Sequence, residues 1–429
     1  MLIALFVLLL LMLALGIPVL LAIGLLAFGG ITAVGLPVAL FPQRAFAVTD
    51  SFSLLALPYF ILAGELMARG GIGRKLVEFA ETLVGHLYGG LGHASVLANM
   101  IFANVSGSAT AGTSAIGSIL IPAMKERGYK PGFAASLMAC SGIIGSIIPP
   151  SMVMIVYGSM MGVSIGGLFL AGIVPGLMIV GMLMLTIHIH AYVPGFPELR
   201  RTTGSFSIRA VVRALPRVWM ALLAPVIILG GILTGAFTAT EAGVVACAYA
   251  LVISMLIYRT VTIRDLPSIL VRAAITNAVV VGIIAMAGAL GRVLVYLDFD
   301  ETVGGMLGGL SDSPMITLLA LVFIMMVLTM FVESLAVLVI LVPVIADIGA
   351  TFGFHPYYLG MLMVMATQIG AVTPPVAVQL FVASSIAETS YDQTVRYCLP
   401  FVVALLTALL LVWFMPTLAT WIPDHFMAL

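Results

Sequence analysis

Two proline pairs, in Gly145-Ser-Ile-Ile-Pro-Pro-Ser151 and Gly370-Ala-Val-Thr-Pro-Pro-Val376, interrupt apolar runs in the two halves of the chain. Each heptapeptide ends the same order of features: a break, an apolar segment with Pro122 or Pro343, a turn, and another apolar segment. A chain that repeats an ordered set of features folds into equivalent units. We therefore predict two structural repeats, each built around one helix that breaks at its proline pair.

The composition indicates the solvent in which these helices lie. Of the 429 residues, 62% are hydrophobic and 8% are charged, and the mean hydropathy is +1.26. A soluble domain carries about a quarter charged residues, so this chain has too few to cover a surface in water. Apolar runs of roughly 20 residues, enough to span a bilayer, follow one another along the chain. We predict an all-α polytopic membrane protein in contact with the lipid bilayer, and the formal net charge of zero gives no support to binding of nucleic acid.

Two apolar segments, 116–124 and 335–348, are too short to span a bilayer. Each follows a polar or flexible break, at 104–114 and at 331–334. Irregular backbone at membrane depth is tolerated only where it lines an enclosed or watery cavity. We therefore predict a re-entrant hairpin in each repeat, followed by a broken helix. The predicted hairpins cover 94–124 and 314–348, and the predicted broken helices cover 132–160 and 357–388.

Basic residues predict the orientation, because cytoplasmic loops carry an excess of Lys and Arg. The loop at 192–217 holds five arginines and one acidic residue, so we place it in the cytoplasm as the connector between the repeats. Threading outward from it places the acidic segment 298–312 and both termini in the periplasm. An odd number of crossings separates the repeats. The first repeat (1–191) and the second (218–429) are therefore predicted to have opposite orientations in the membrane.

The broken helices also predict a chemistry. A proline inside a helix deprives the carbonyl four residues earlier of its usual donor, and these carbonyls belong to Gly145 and Gly370. Beside the hydroxyls of Ser146 and Thr373, they are hard oxygen ligands for a cation of the Na⁺ type. The amino termini of facing half-helices carry positive dipole ends that suit a carboxylate. We therefore predict a secondary transporter that moves an organic anion with at least two sodium ions, since the geometry is duplicated.

Five segments carry a resemblance to a known family, namely 58–67, 102–122, 145–151, 235–243 and 370–376. Together they resemble the DctM-type large membrane subunits of tripartite ATP-independent periplasmic (TRAP) transporters, over essentially the whole chain. The resemblance implies an elevator-type, sodium-driven importer in the bacterial inner membrane. It also implies two partners on separate chains: a small four-helix membrane subunit of the DctQ type, and a periplasmic solute-binding protein of the DctP type that delivers an organic anion.

The candidate site residues lie at the hairpin tips and at the proline pairs. Two positions depart from the family pattern, since Gly112 stands where the family often has an acidic residue and Ala377 where it usually has glycine. The candidate substrate-binding residues are Ser106, Ser108, Thr113, Ser151, Glu333 and Ser334. The candidate sodium ligands are Ser106, Ser108, Gly145, Ile148, Pro150, Val332, Glu333, Gly370, Thr373 and Val376.

Several alternatives stay open on the sequence alone. The tip hydroxyls and Glu333 could instead cap the half-helices, and Glu241 is expected to cap the helix that follows Thr238. A stand-alone, sodium-coupled dicarboxylate or anion symporter of the same architecture would need no binding protein. A proton-coupled antiporter is disfavoured because the predicted cation sites consist mainly of neutral oxygens. An enzyme is disfavoured because the six histidines and the scattered acidic residues form no catalytic cluster in the sequence.

Overall fold

The computed structural model describes residues 2–200, 202, 206–299 and 313–427. Within these ranges all regular secondary structure is helical, in agreement with the predicted all-α class. The α-helices of the first half are α1 (Leu2–Ala14), α2 (Val19–Ala33), α3 (Leu40–Thr49), α4 (Ala56–Arg69), α5 (Ile72–Val84), α6 (Gly90–Ser106), α7 (Ala109–Glu126), α8 (Pro131–Gly142), α9 (Met152–Met161) and α10 (Ile165–His190). Those of the second half are α11 (Ile208–Leu233), α12 (Ala239–Val252), α13 (Leu266–Tyr296), α14 (Pro314–Thr329), α15 (Ser334–Phe352), α16 (Pro356–Gly370), α17 (Val378–Ala387), α18 (Tyr391–Phe414) and α19 (Thr417–Phe426).

Several of these helices present apolar side chains outward as well as inward. On α13, Val271, Ile275 and Val279 are all exposed and share one face at a spacing of four residues. An apolar outer face is stable in lipid and not in water. Six helices in the described ranges are long and apolar enough to cross a bilayer, which makes the chain a multi-pass membrane protein. They are Phe52–Arg69, Ile165–His190, Ala239–Ile257, Leu266–Tyr296, Ser334–Phe352 and Tyr391–Phe414.

The first predicted hairpin consists of α6 and α7, which pack against each other. The chain turns between them at Gly107, whose φ of +59° lies in the left-handed region that glycine adopts without a Cβ clash. Helix α7 has 18 residues and is thus longer than the apolar segment 116–124, because the small and hydroxyl residues before that segment continue the helix. Helix α15 likewise has 19 residues. Helix length therefore gives no support to the re-entrant path, which stays a prediction.

Both predicted broken helices are interrupted at their proline pairs. Helix α8 passes into a short 3₁₀ turn, Ile143–Ser146, and α9 begins after the cis Pro149–Pro150 bond. Helix α16 ends at Gly370, and α17 begins after the cis Pro374–Pro375 bond. Below, the non-helical residues 147–151 are called the first break and 371–377 the second break.

One backbone hydrogen bond recurs in the two halves. Two residues beyond the first proline pair, the amide of Met152 donates to the carbonyl of Gly107 at 3.2 Å. Two residues beyond the second pair, the amide of Ala377 donates to the carbonyl of Met330 at 3.3 Å. Gly107 and Met330 follow the ends of α6 and α14, where the hairpins turn. Each hairpin tip is therefore hydrogen-bonded to its own half at the point where the break ends and the next helix begins.

Helices of the two halves pack across each other around these breaks. Helix α7 contacts α8 of its own half and α17 of the other, while α15 contacts α16 of its own half and α9 of the other. The Nζ of Lys125, at the end of α7, lies 3.3 Å from the Glu388 carboxylate that follows α17. A separate group packs α4 against α12, and α2 and α3 against α13. We call the first group, α6–α9 with α14–α17, the site bundle, and α2–α4 with α12 and α13 the scaffold.

The connector between the halves is partly helical. Ser207 caps α11 by accepting a hydrogen bond from the amide of Ala210 at 3.4 Å, so the helix begins inside the predicted 192–217 loop. At the start of α12, Thr238 and Glu241 form a reciprocal capping box, which confirms the capping role expected for Glu241. Residues 300–312, which include Asp312 and most of the acidic segment predicted to be periplasmic, lie outside the described residues.

Candidate transport site

Ser108 begins the second helix of the first hairpin. Its side-chain oxygen accepts a hydrogen bond from the amide of Ala111 at 3.4 Å and lies 3.0 Å from the hydroxyl of Thr110. Ser108 is therefore the N-cap of α7, which is one of the two roles that the sequence left open for it. Ser108 is half-buried and Thr110 is exposed, so this tip keeps polar groups accessible beside the positive end of α7.

Ser106 and Thr113 lie on either side of the same tip and are 3% and 0% exposed. Neither hydroxyl has a hydrogen-bond partner among the described residues. Leaving a buried hydroxyl unpaired costs about 1–3 kcal/mol, so each of these oxygens is a candidate to bind a ligand or a water molecule. Hydroxyl oxygens are hard ligands of the kind that sodium and similar cations prefer. The hydroxyl of Ser106 therefore fits the predicted sodium ion, and the predicted contact of Thr113 with substrate stays a prediction.

Ser146 links the first break to the tip. Its side-chain oxygen accepts a hydrogen bond from the amide of Ala109, the first residue of α7, at 3.0 Å. The hydroxyl of Ser151 donates to the carbonyl of Ser146, and the oxygen of Ser151 also accepts from the amide of Met154 at 3.3 Å. Both bonds of Ser151 are internal to the break and to α9. Ser151 thus orients the break, and its predicted contact with substrate stays a prediction.

Two glycines allow the tip and the first break to touch. A Cβ on Gly145 would lie 2.8 Å from the carbonyl oxygen of Ser108, and a Cβ on Gly107 would lie 2.8 Å from that of Pro150. Either contact is too short for a real Cβ, so both positions require glycine for this approach. The carbonyl and hydroxyl oxygens of the tip and break are those that would hold a sodium ion here. The predicted sodium ligands at this place are Ser106, Ser108, Gly145, Ile148 and Pro150.

The second tip is capped by a charged side chain. The carboxylate of Glu333 accepts hydrogen bonds from the amides of Leu335 at 2.8 Å and Ala336 at 3.1 Å. Glu333 is therefore the N-cap of α15, and its negative charge lies at the positive end of that helix. Next to it, the hydroxyl of Ser334 donates to the carbonyl of Thr367 at 3.3 Å, and Val332 is buried. The capping alternative describes Glu333 in this structure, and its roles toward sodium and substrate stay predictions.

The sequence predicted that the second proline pair would leave the carbonyl of Gly370 without a hydrogen-bond donor. In the structure this carbonyl has one. The carbonyl of Gly370 accepts a hydrogen bond from the amide of Thr373 at 3.0 Å, and the hydroxyl of Thr373 donates to Ile369 at 2.7 Å. A carbonyl oxygen has two lone pairs, so Gly370 retains one for a cation. The hydroxyl of Tyr391 lies 2.9 Å from the carbonyl oxygens of both Pro375 and Val376.

Three polar residues near the breaks were missed by the sequence analysis. Asn99 and Gln379 are buried, and the side-chain oxygens of both lack a partner among the described residues. Asn99 does carry a sequence signal, because it precedes Ser106 by seven residues and so shares its helix face two turns away. Tyr391 carries no such signal, since its contact with the second break depends on how α18 packs.

The arrangement of helices has a solved counterpart. The YdaH transporter of Alcanivorax borkumensis superposes with a TM-score of 0.56 over 86% of this chain and 88% of that one, at 13% sequence identity. Similarity at this level of identity is a similarity of fold alone. It shows that a fold of this kind occurs in a membrane transporter.

Sequence comparison is more specific. The chain is 36% identical over 381 residues to the C4-dicarboxylate TRAP transporter large permease protein DctM of Pseudomonas aeruginosa, covering 89% of this chain and 88% of that protein. It is 37% identical over 412 residues to the isethionate TRAP transporter permease protein DctMQ of Oleidesulfovibrio alaskensis, covering 95% of this chain and 64% of that protein. Residues 2–418 match the family model for the DctM component of tripartite ATP-independent periplasmic transporters. The chain therefore belongs to the DctM family, the large permease subunits of TRAP transporters.

Proposed function

We propose that this subunit imports a small organic anion across the bacterial inner membrane together with sodium ions. The named solutes of two relatives, a C4-dicarboxylate and isethionate, are both small organic anions. The observation that carries the proposal is the hydrogen bond between each hairpin tip and its own break, Met152 to Gly107 and Ala377 to Met330. It brings helix amino termini, carbonyl oxygens and hydroxyls together in both halves of the chain.

The two tips favour different ligands, and the first is the better place for an anion. At the first tip the amino termini of α7 and α9 are capped by the neutral side chains of Ser108 and Ser151. Their positive dipole ends are therefore available to a carboxylate or sulfonate. At the second tip the carboxylate of Glu333 already lies at the amino terminus of α15. We infer that the substrate anion contacts the first tip, with Ser108 and Thr110 as hydroxyl donors.

Sodium would be held by neutral oxygens at both breaks. In the first half these are the Ser106 hydroxyl and the carbonyls of the first break, and in the second half the carbonyls of Gly370 and Val376 with Thr373. A bound ion would supply positive charge beside the anion, which lowers the cost of carrying that anion through the membrane. We propose that the site bundle moves as a unit along the scaffold, in an elevator movement. We propose that both termini lie in the periplasm, as the distribution of basic residues predicts.

Two partners complete the proposed transporter. The relative DctMQ is named as one permease protein and is longer than the matched region, which supports a small DctQ-type subunit beside this chain. A periplasmic DctP-type protein would deliver the anion, since the substrate is captured outside the membrane in tripartite transporters of this family. A self-sufficient symporter of the same fold is the competing hypothesis, and it differs in needing neither partner.

The proposal is tested by solute uptake into proteoliposomes that hold this chain and the small subunit. The assay is run with and without an inward sodium gradient, and with and without the binding protein. We expect uptake only when all components and the gradient are present. Ser106→Ala is expected to raise the sodium concentration for half-maximal uptake about tenfold. Ser118→Ala is the matched control, because its exposed hydroxyl already donates to the carbonyl of Ala115.

The possible outcomes separate the parts of this proposal. Uptake by the chain alone would establish the self-sufficient symporter and remove both partners. Full uptake without a sodium gradient, under a proton gradient only, would remove sodium coupling. An unchanged sodium response in Ser106→Ala would remove the assignment of the first tip.

A further inference from the structure

Asn99 lies in the middle of α6 and is 1% exposed. Its side-chain nitrogen donates to the oxygen of Ser141 at 2.9 Å, and the hydroxyl of Ser141 in turn donates to the carbonyl of Met138 at 3.2 Å. The same nitrogen also donates to the Sδ of Met138 at 3.3 Å, an atom that can only accept. These two bonds together place the nitrogen of the amide on the side of Ser141 and Met138. The Oδ1 of Asn99 therefore points away from Ser141, and it has no partner among the described residues.

Two glycines, Gly112 and Gly142, lie beside this oxygen. A Cβ on Gly112 would lie 3.0 Å from the Oδ1 of Asn99 and 3.6 Å from the carbonyl oxygen of Gly142. Both oxygens thus lie close to Gly112, and a side chain at residue 112 would crowd them. Gly142 is the last residue of α8, and the carboxyl end of a helix carries a negative partial charge.

A third oxygen, the hydroxyl of Thr113, lies against Gly142. A Cβ on Gly142 would overlap the hydroxyl of Thr113, which packs directly on the α8 backbone. Thr113 is fully buried, and its hydroxyl has no partner in the described part of the chain. Asn99, Thr113 and Gly142 come from three different helices, α6, α7 and α8, which meet here.

Three oxygens meet at this junction, and two of them are unpaired at a cost of about 1–3 kcal/mol each. The Oδ1 of Asn99 and the carbonyl of Gly142 can only accept hydrogen bonds. A cation satisfies acceptors of this kind together, and hard neutral oxygens favour sodium over softer metal ions. A water molecule is the competing occupant, since it would donate one hydrogen bond to each acceptor.

We propose that Asn99, Thr113 and Gly142 form a buried sodium site inside the first hairpin. This site uses none of the residues predicted as sodium ligands, and in it Thr113 is a cation ligand instead of a substrate contact. The choice of sodium rests on the proposed sodium coupling. A sodium ion bound here would contact α6, α7 and α8 at once. It would therefore stabilise the packing of the first hairpin, α6 and α7, against α8.

The test uses the full chain in detergent and measures its thermal stability against sodium chloride, with choline chloride keeping the ionic strength constant. The wild-type chain is expected to gain stability as sodium rises. In Asn99→Leu, the sodium concentration for half of this gain is expected to rise about tenfold. In Asn99→Asp at pH 8, which adds a negative charge at nearly constant shape, it is expected to fall about tenfold, because the charge of the ligands sets cation affinity.

The matched control is Ser95→Ala, one turn away on α6. Ser95 is also fully buried, but its hydroxyl donates to the carbonyl of Gly92 at 2.7 Å. Its sodium response should equal that of the wild type. Thr113→Val, which keeps the shape of the side chain, is a second variant. Its sodium concentration for half of the stability gain is expected to rise as in Asn99→Leu, and it replaces Asn99→Leu if that variant does not fold.

Each outcome has a definite meaning. If the wild-type chain gains no stability from sodium, the proposed sodium coupling fails together with this site. If the wild type responds and both Asn99→Leu and Thr113→Val respond equally, only this site is overturned and the tip sites stand. If Asn99→Asp is less stable at every sodium concentration with an unchanged midpoint, the occupant is water. An equal shift in Ser95→Ala would assign the effect to helix packing and overturn the site.

Discussion

The first and second breaks share one backbone hydrogen bond to their hairpin tips but are stabilised by different side chains. Every residue of the first break is buried, and Ser146 and Ser151, at its two ends, make its side-chain bonds. The second break is partly exposed at Pro375 and half-buried at Val376. There, the bonds to these two carbonyls come from Tyr391, on a helix outside the break.

This difference shows which part of the arrangement the fold requires. The bond from the second residue after each proline pair is common to both halves, so the approach of tip and break is the shared element. The supporting side chains can come from the break itself or from a neighbouring helix. The buried first break has its supports in place within the site bundle, whereas the second depends on how α18 packs. We expect the first break to be the more rigid of the two.

The largest expected effects come from adding a methyl group between break and hairpin. In Gly370→Ala the Cβ would overlap both the hydroxyl of Thr329 and the carbonyl of Met326. In Gly145→Ala it would lie 2.8 Å from the carbonyl of Ser108 only. Overpacking of this kind costs about 1–3 kcal/mol, and we expect Gly370→Ala to lie at the top of that range and Gly145→Ala in its lower half. Thermal unfolding in detergent measures both.

A control for these substitutions is Gly181→Ala, in the apolar helix α10. A Cβ at this position would meet nothing within 4 Å, so the change should leave the melting temperature unchanged or raise it, since alanine favours helix. Gly370→Ala with an unchanged melting temperature would show that hairpin and break separate easily in the second half. The close approach would then not be a requirement shared by both halves.

Much of this comparison could be predicted from the sequence, because its causes are local. The proline pairs determine where the helices break, and the Thr238 and Glu241 pair marks a helix start through capping chemistry alone. The apolar pattern predicts a multi-pass helical membrane protein. The apolar segments predicted for the hairpins are shorter than the helices found there. Hydropathy identifies only the apolar part of a helix, and small and hydroxyl residues such as those at 109–115 continue the helix beyond it.

Contacts between distant parts of the chain could not be predicted in this way. The bonds from Tyr391 to the second break and from Ala109 to Ser146 depend on the register in which separate helices pack. Neither helical periodicity nor proline spacing specifies that register. The unpaired oxygen of Asn99 is of the same kind, because it becomes evident only when α8 is placed against α6.

The next prediction compares the side chains that hydrogen-bond to the two breaks, Ser146 at the first and Tyr391 at the second. Ser146→Ala would leave the amide of Ala109 buried and unpaired, at a cost of about 1–3 kcal/mol. Tyr391→Phe would remove the bond to the carbonyls of Pro375 and Val376, which belong to an exposed and a half-buried residue. We therefore expect a smaller loss, roughly 0.5–1 kcal/mol. The melting temperatures should therefore fall more for the serine than for the tyrosine. The reverse order would make the second break the one that depends more on its support.

The smallest effect concerns the residue that donates the shared hydrogen bond. Ala377 adopts φ +43°, in the left-handed region, which costs a residue with a Cβ about 1–2 kcal/mol. Glycine avoids that cost, but it loses more conformational entropy on folding, which lowers stability by roughly 0.5–1 kcal/mol. Ala377→Gly should therefore raise the stability slightly, by up to about 1 kcal/mol. Met152, at the matching position, is the first residue of α9 and has no such strain, so Met152→Gly should lower the melting temperature instead. Opposite signs in the two variants would establish that the shared bond is made from a strained backbone in one half and a relaxed one in the other. A loss in both would show that the methyl group of Ala377 packs well enough to outweigh its backbone strain.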